Sequence, residues 1–339
     1  MTAKTDAAPA TASDTAVRAR RFDADRHDVV VEIDEALART PSERQLLWID
    51  ISGPMPEGLV SRLTDAFQLD STTAKALDSD VQEPTLSVHG SYLHITVAAE
   101  PSPEHPRSSP WLTAVAAPNA VVTYHREPIS FLEELDNQVQ ADSAYGLLDS
   151  QSFLATLLTA TVTSYLRAVD AIESDMERLD VASLRTRGRN DLLADLVHVR
   201  TRIAMLRRLL ASHRYTFGSL GGIVLETADG EGEPGRAALT AVAARYAEAM
   251  LSIESARDLV LGSFTVYSTL TAQRTNDTMK VLTLVTVLLL PGSLIAGLLG
   301  MNVDVPLNKD DPLSFWFVIV GVVVLAIVIV AVARARTWL

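Results

Sequence analysis

Two long runs without a charged residue near the C-terminal end constrain the fold of this chain more than any other feature. They cover residues 281–299 and 315–333, and each run contains 19 residues. A helix needs about 20 apolar residues to cross the hydrocarbon core of a bilayer. Two buried helices in a large soluble core are the alternative explanation. Because fewer than 20 residues separate the runs, we predict a membrane hairpin of two transmembrane helices.

The distribution of charge predicts how this hairpin is oriented. Basic residues flank it on both sides: Arg274, Lys280, Arg334 and Arg336. The connecting loop, residues 302–314, is acidic, with Asp304, Asp310 and Asp311 against a single lysine. Because lysine and arginine accumulate on the cytoplasmic side of a membrane, we expect both termini in the cytoplasm and the loop outside. The predicted location is the inner or plasma membrane.

The rest of the chain shows an α/β pattern followed by long helices. "LLWIDI" (46–51) is typical of a buried strand, and "TLSVHGSYLHITV" (85–97) of a hairpin that turns at Gly90 and Ser91. "WLTAVAA" and "AVVTYH" are two further strand-like runs. Periodic segments at 153–184 and 190–217 predict an antiparallel helix pair. From Arg236 no proline occurs before Pro291, which predicts one very long helix.

These patterns predict an α/β cytoplasmic domain followed by long helices and two transmembrane helices. The expected boundaries are a disordered tail at 1–25, the α/β domain at 26–145, the helix pair and a loop at 146–235, a stalk helix at 236–278, and the transmembrane domain at 279–339. A helix as long as the predicted stalk is not stable alone, so we expect the chain to form an oligomer.

Composition and motifs exclude several classes of function. The chain has no cysteine, which rules out disulfides and thiolate metal sites. A net charge of −13 argues against nucleic-acid binding. No phosphate-binding loop, serine-hydrolase motif or zinc-protease motif occurs in the sequence. We therefore expect neither an enzyme nor a bound cofactor. A scaffold protein held in the membrane by the hairpin is a further alternative.

A stripe of small, polar and flexible residues follows one side of the first apolar run. Its members recur at alternating spacings of three and four: Asn276, Met279, Thr283, Thr286, Leu290, Ser293, Gly297 and Gly300. Close packing between membrane helices through small residues would explain such a stripe. A pore lined by one stripe from each subunit would explain it too. The pattern favours the pore, because the stripe crosses the whole span and has amides near both ends.

Several motifs of this sequence resemble those of the CorA family of magnesium channels. "GMN" (Gly300, Met301, Asn302) lies at the end of the first of two C-terminal spans, and "TNDTMKVLT" (275–283) lies at its entry. "WIDI" (48–51) and "VTYHREP" (122–128) are similar to family signatures in the cytoplasmic domain. The resemblance covers nearly the whole chain beyond the first 25 residues.

The resemblance implies a funnel-shaped homopentamer in membrane lipid with the first span lining one pore. Asn302 and the Gly300 carbonyl would form the outer filter for hydrated Mg²⁺, with Met301 between them, and Asn276 would form a polar ring at the cytoplasmic end. The implied hydrophobic constrictions are Met279, one of Leu282 or Thr283, and Leu290. In the loop, Asp304, Asp310 and Asp311 would attract cations weakly or merely shape a turn.

The sequence departs from the family pattern in ways that concern regulation and selectivity. Thr265 stands where the family often carries a pore-facing aspartate, and Ser91 occupies a hairpin position that is acidic in channels closed by internal Mg²⁺. Inhibition by bound Mg²⁺ is therefore not expected. A transporter of the related ZntB type, carrying Zn²⁺, Co²⁺ or Ni²⁺, is the alternative. Zinc prefers histidine or cysteine ligands, and the stripe has neither.

Overall fold

The computed structural model describes residues 15–25, 27–79, 83–101, 108–138, 145–185, 190–223, 233–300 and 312–335. The chain divides into two compact units, Met1–Leu261 and Gly262–Leu339. The first is an α/β unit with long helices, and the second contains the apolar hairpin.

The described strands of the α/β unit form one mixed sheet in the order β2-β1-β3-β7-β6-β5-β4. The strands are β1 Ala16–Asp23, β2 Val29–Val31, β3 Gln45–Ser52, β4 Thr85–His89, β5 Tyr92–Ala98, β6 Trp111–Ala117 and β7 Ala120–His125. Strands β3 and β7 are parallel, and the other described pairs are antiparallel. The predicted strands at 46–51, 111–117 and 120–125 and the predicted β4–β5 hairpin are confirmed.

The prediction that residues 1–25 are a disordered tail is wrong for residues 16–23, which form strand β1. This strand lies between β2 and β3, so the sheet begins before the predicted boundary at residue 26. Three of its eight residues are arginines. Arg18 and Arg20 are accommodated because both bind the carboxylate of Asp136, at 2.8 and 2.7 Å. A partner so distant in sequence leaves no local signal.

The helices follow in chain order. They are α1 Ile33–Ala38, α2 Leu59–Phe67, α3 Ser71–Asp78, α4 Ser130–Gln138, α5 Ser150–Arg185, α6 Asn190–Ser212, α7 Arg214–Gly218, α8 Glu233–Gly300 and α9 Pro312–Ala335. The predicted helix pair corresponds to α5 and α6. However, α6 ends at Ser212, and the shorter α7 covers the rest of the predicted segment.

Both faces of the sheet are buried, which explains the nearly continuous apolar runs of its central strands. Leu47, Ile49 and Ile51 of β3 belong to a core cluster that includes Leu63 of α2 and Leu77 of α3. On the opposite face the aromatic rings of Phe22, Trp48 and Phe153 form a second core, with Trp48 and Phe153 5.6 Å apart. Helix α5 thus covers the face that α2 and α3 leave open.

A buried histidine fixes strand β5 to the helices. The backbone N–H of Ala98 donates to Nε2 of His213 at 2.8 Å, and Nδ1 of His213 donates to the Leu209 carbonyl at 2.7 Å. The hydroxyl of Tyr165 on α5 donates to the Ala98 carbonyl. Burial lowers the pKa of His213 to about 4, so the ring is neutral at pH 7. The carboxyl end of β5 is therefore held from two sides.

The predicted long helix is confirmed as α8, which contains 68 residues with Pro291 inside it and is about 100 Å long at 1.5 Å per residue. The boundary between the two compact units lies within α8, between Leu261 and Gly262. The predicted membrane domain begins later, at residue 279. The boundary lies there because the side chains of α8 stop being buried at about this point. Ser263 is its last buried residue among those whose side chains are described.

Three described helices are long and apolar enough to cross a membrane: Ser150–Val181, Pro234–Leu298 and Trp316–Ala335. They differ in how much of their most apolar window is buried inside the structure. That share is 67% for the segment of α5, 0% for the segment of α8 and 6% for the segment of α9. Helix α5 therefore belongs to the core of the α/β unit, whereas α8 and α9 leave their apolar surface uncovered.

Candidate pore helix

The predicted pore stripe lies on an open side of α8. All eight of its residues are exposed: Asn276, Met279, Thr283, Thr286, Leu290, Ser293, Gly297 and Gly300. Met279 and Leu290 are 59% and 58% exposed, which is unusual for large apolar side chains. Leu282, the alternative to Thr283 as a constriction, is 60% exposed. Within the described part of the chain, these side chains remain exposed.

A different side of α8 packs against α9. The partly buried residues of the span recur at helical spacing: Lys280, Leu284, Leu288, Pro291, Gly292 and Ile295. A Cβ on Gly292 would lie 3.8 Å from Val322 of α9. Neighbouring residues on an α-helix are about 100° apart around the axis. Thr286 on the stripe and Leu288 on the packed side are therefore about 160° apart, so most of the stripe faces away from α9. Thr283 is the exception, because it lines a groove between α8 and Val328 of α9.

Two of the three hydroxyl groups on the stripe, those of Thr286 and Ser293, donate to carbonyls within the helix. Thr286 Oγ1 donates to the Leu282 carbonyl and Ser293 Oγ to the Leu290 carbonyl, each at 2.9 Å. Such local bonds satisfy the donor of a hydroxyl in an apolar setting and leave its oxygen able to accept. A row of these oxygens can meet water or a hydrated cation without carrying a formal charge.

The two ends of the stripe are chemically different. At the end nearer to residue 262, Asn276 is exposed and is followed by Asp277, which pairs with Lys280 at 3.0 Å. At the other end α8 terminates at Gly300, whose missing side chain leaves open space. The remaining predicted filter residues, Met301 and Asn302, lie outside the described residues, as do Asp304, Asp310 and Asp311 of the loop.

The acidic residues of α8 within the α/β unit are neutralised by arginines of the same chain. Glu254 binds Arg207 of α6 at 2.6 Å, and Glu248 lies 3.5 Å from Arg245. Asp258 binds Arg257 at 3.1 Å. Within the described part of the chain, no group of three or more His, Asp or Glu residues is placed to hold a metal ion.

The α/β unit is thus continuous, through a long helix, with an apolar hairpin whose two helices are long and apolar enough to cross a membrane. The sequence model of the family described as CorA-like Mg²⁺ transporter protein matches residues 43–334. The chain belongs to this family. Its members transport divalent cations and are not enzymes, which confirms both the family resemblance and the expected absence of catalysis.

Individual relatives are distant in sequence. The cobalt/magnesium transport protein CorA of Thermotoga maritima is 20% identical over 297 residues, which cover 86% of this chain and 83% of that protein. The structure of the CorA magnesium transporter from Methanocaldococcus jannaschii superposes with a TM-score of 0.75 at 18% identity and covers 95% of this chain and 98% of its own.

The cytoplasmic domain of ZntB from Vibrio parahaemolyticus has a TM-score of 0.57 at 12% identity, covering 76% of this chain and 98% of its own. At these identities the structural likenesses show the fold alone. They confirm the predicted α/β domain followed by long helices.

Proposed function

We propose that this protein is a Mg²⁺ channel that mediates uptake across the inner or plasma membrane. In this proposal five copies surround a central pore, and the first span of each copy lines it. The observation that carries the proposal is the open stripe on α8, most of which faces away from α9 and which combines glycine, hydroxyl and amide groups in an otherwise apolar segment. Packing between the described helices of one chain does not bury the residues of that stripe.

The sides of α8 that flank the stripe support a ring of subunits. One flank carries the exposed residues Val285 and Leu289, and the other carries the exposed residues Val287, Leu294 and Leu298. The two flanks have different shapes, so contact between them is heterologous. Heterologous contacts produce closed rings when the rotation between copies is right. Such a ring covers both apolar flanks and turns every stripe toward one axis.

The proposed filter suits a hydrated hard cation. Mg²⁺ dehydrates reluctantly and commonly keeps several waters when bound. A ring of Asn302 amides and Gly300 carbonyls offers neutral oxygens, which hold such an ion weakly enough to release it. Asn276 would provide the corresponding ring at the cytoplasmic end. Met279, Leu282 or Thr283, and Leu290 would form the constrictions between them, which gate by excluding water.

The proposed topology explains the direction of transport. Residues 236–278 act as the stalk and residues 279–339 as the membrane domain, with the loop 302–314 outside and both termini in the cytoplasm. Asp304, Asp310 and Asp311 would then gather cations at the outer mouth. An inside-negative potential favours entry of a divalent cation by about 4.6 kcal/mol per 100 mV. No other energy source is required.

Transport of Zn²⁺, Co²⁺ or Ni²⁺ by a ZntB-like mechanism is the second candidate. The fold likeness to the ZntB cytoplasmic domain is compatible with it. The composition of the stripe opposes it, because zinc binds most readily to histidine or cysteine and the stripe contains neither.

Flux into liposomes tests the proposal. Purified full-length protein is reconstituted, an inside-negative potential is applied, and Mg²⁺ entry is followed with an internal dye. We expect Asn302→Ala to abolish selective Mg²⁺ entry. Asn308→Ala, the same substitution in the same loop, is the matched control and should leave entry unchanged. Absence of Mg²⁺ entry in the unmodified protein, or equal entry in both variants, contradicts the proposal. Entry of Zn²⁺ without Mg²⁺ supports the second candidate.

A further inference from the structure

Two sequence motifs that the pore does not use meet inside the α/β unit. "WIDI" lies on β3 and "VTYHREP" begins on β7, and these parallel strands pair with Asp50 opposite Thr123. Four polar side chains consequently share the sheet face beneath α5: Trp48, Asp50, Thr123 and His125. All are buried, with Asp50 8% and His125 3% exposed. A buried carboxylate requires hydrogen bonds and a compensating charge.

The hydrogen bonds of this cluster have a defined direction. The indole N–H of Trp48 donates to Thr123 Oγ1 at 3.0 Å. Because an indole can only donate, the threonine oxygen acts as acceptor there and uses its own proton elsewhere. It donates to Asp50 Oδ1 at 2.6 Å. The chain of donors therefore ends on the Asp50 carboxylate, which is the acceptor of the cluster.

His125 completes the cluster only when it carries a second proton. Its Nδ1 lies 2.8 Å from the Glu127 carbonyl, and a carbonyl can only accept, so Nδ1 bears a hydrogen. In the neutral ring Nε2 would then present a lone pair. That atom is buried without a hydrogen-bond partner in the described structure and lies 3.5 Å from Asp50 Oδ1. Two acceptors would face each other there, and a proton on Nε2 converts the repulsion into attraction.

We infer that Asp50 and His125 form a proton-binding latch between the carboxyl ends of β3 and β7, through which the pH of the surrounding solution controls the stability of the α/β unit. The latch reaches two loops. The His125 carbonyl accepts from the Gly53 N–H at 3.0 Å, immediately after β3. The Nδ1 bond holds the turn between β7 and α4. Loss of the Nε2 proton of His125 weakens both the hydrogen bond to Gly53 and the hydrogen bond to the Glu127 carbonyl.

Charges on the neighbouring elements are compatible with this assignment. Arg18 of β1 lies opposite Asp50, and it is engaged by Asp136 of α4 together with Arg20. Glu133 of α4 favours a charged His125. Phe153, which packs on Trp48 from α5, carries no charge. The charged side chains that act on His125, Asp50 and Glu133, are both carboxylates and favour its protonated form.

The expected pH dependence follows from the same contacts. Burial alone would lower the pKa of His125, but Asp50, the Glu127 carbonyl and Glu133 outweigh it, and the pKa is raised above its usual value. The stabilisation is therefore complete below about pH 6.5, where histidine is protonated even in the unfolded chain. It is lost as pH rises through the higher pKa of the folded state.

Thermal unfolding of the full-length protein in detergent between pH 6 and 8 tests the latch. All variants carry the additional substitution Glu100→Gln, because the pKa of Glu100 is about 7 and its titration would otherwise contribute between pH 6 and 8. We expect the Tm to drop by about 2–4 °C across this range. Asp50→Asn should remove the drop, since an amide N–H can donate to a neutral Nε2. His125→Gln should remove it as well.

A matched control and an independent measurement make the test decisive. His198→Gln changes an exposed histidine and should retain the drop. In the unmodified protein, hydrogen exchange corrected for intrinsic rate should show protection of the Gly53 N–H falling from pH 6 to 8. The Leu47 N–H, bonded to Asn119 at the other end of the same strand pair, should change less. Equal slopes in all variants, or equal loss of protection at both ends, overturn the inference.

Discussion

Helices α5 and α8 are both long and apolar, yet they differ in how much of their apolar surface is buried. The most apolar part of α5 is 67% buried, and that of α8 is not buried at all. Helix α5 finds its partners in the sheet of its own chain, where Phe153 is fully buried. Among the described residues, the most apolar part of α8 packs only against α9, on one side. Apolar length therefore does not by itself identify a membrane span, and the absence of partners within the chain is the more informative property.

Truncation of a core aromatic should produce the largest contrast between the two units. We expect Phe153→Ala to lower the free energy of unfolding of the α/β unit by about 3–5 kcal/mol, because it leaves a cavity beside Phe22 and Trp48. Leu289→Ala, at a residue of α8 that is 67% exposed, should change it by less than about 1 kcal/mol. Urea unfolding followed by tryptophan fluorescence measures both. Similar losses would show that the two helices are not as different as their burial indicates.

A charge placed at two adjacent positions of α8 would sharpen the comparison within the helix. An aspartate at the centre of a membrane helix costs about 2.5–3.5 kcal/mol when it faces lipid or protein. We expect Leu289→Asp on the flank to prevent membrane assembly. Leu290→Asp on the stripe should assemble, because its carboxylate would face water in the pore, and it should alter cation flux. Membrane extraction yield and size-exclusion chromatography measure assembly. Equal failure of both variants would contradict the orientation of the stripe.

The smallest expected effect concerns Glu100, at the end of β5 in the α/β unit. Burial raises the pKa of this carboxyl to about 7, against the opposing influence of Arg202 and Arg167. A raised carboxyl pKa removes stability as pH rises from about 4.5 to 7. Glu100→Gln should therefore add about 2–3 kcal/mol at pH 8 and little at pH 4. The measurement is the Tm as a function of pH, with the exposed Glu248→Gln as control. An unchanged pH profile would contradict this prediction.

Much of the fold could be predicted because its signals are local. The strands β3, β5, β6 and β7 are short apolar runs bounded by turn residues, and α8 is a long stretch in which proline is absent until Pro291. Strand β1 escaped prediction because Asp136, the partner of Arg18 and Arg20, is more than 100 positions away. The contact between Asp50 and His125 escaped for a similar reason. No pattern in one sequence indicates that β3 and β7 are parallel neighbours.

Some features of the candidate pore could likewise be predicted from local sequence signals, and others could not. The two apolar helices, the spacing of the stripe and the Gly-Met-Asn motif could be read from the sequence alone, because composition and helical periodicity are properties of consecutive residues. Which side of α8 receives α9 and which side stays open became known from the fold. The fold also showed that α5 belongs to a core and that Asp50 meets His125. These outcomes depend on packing between segments distant in the chain, and their free energy arises only once those segments are in contact.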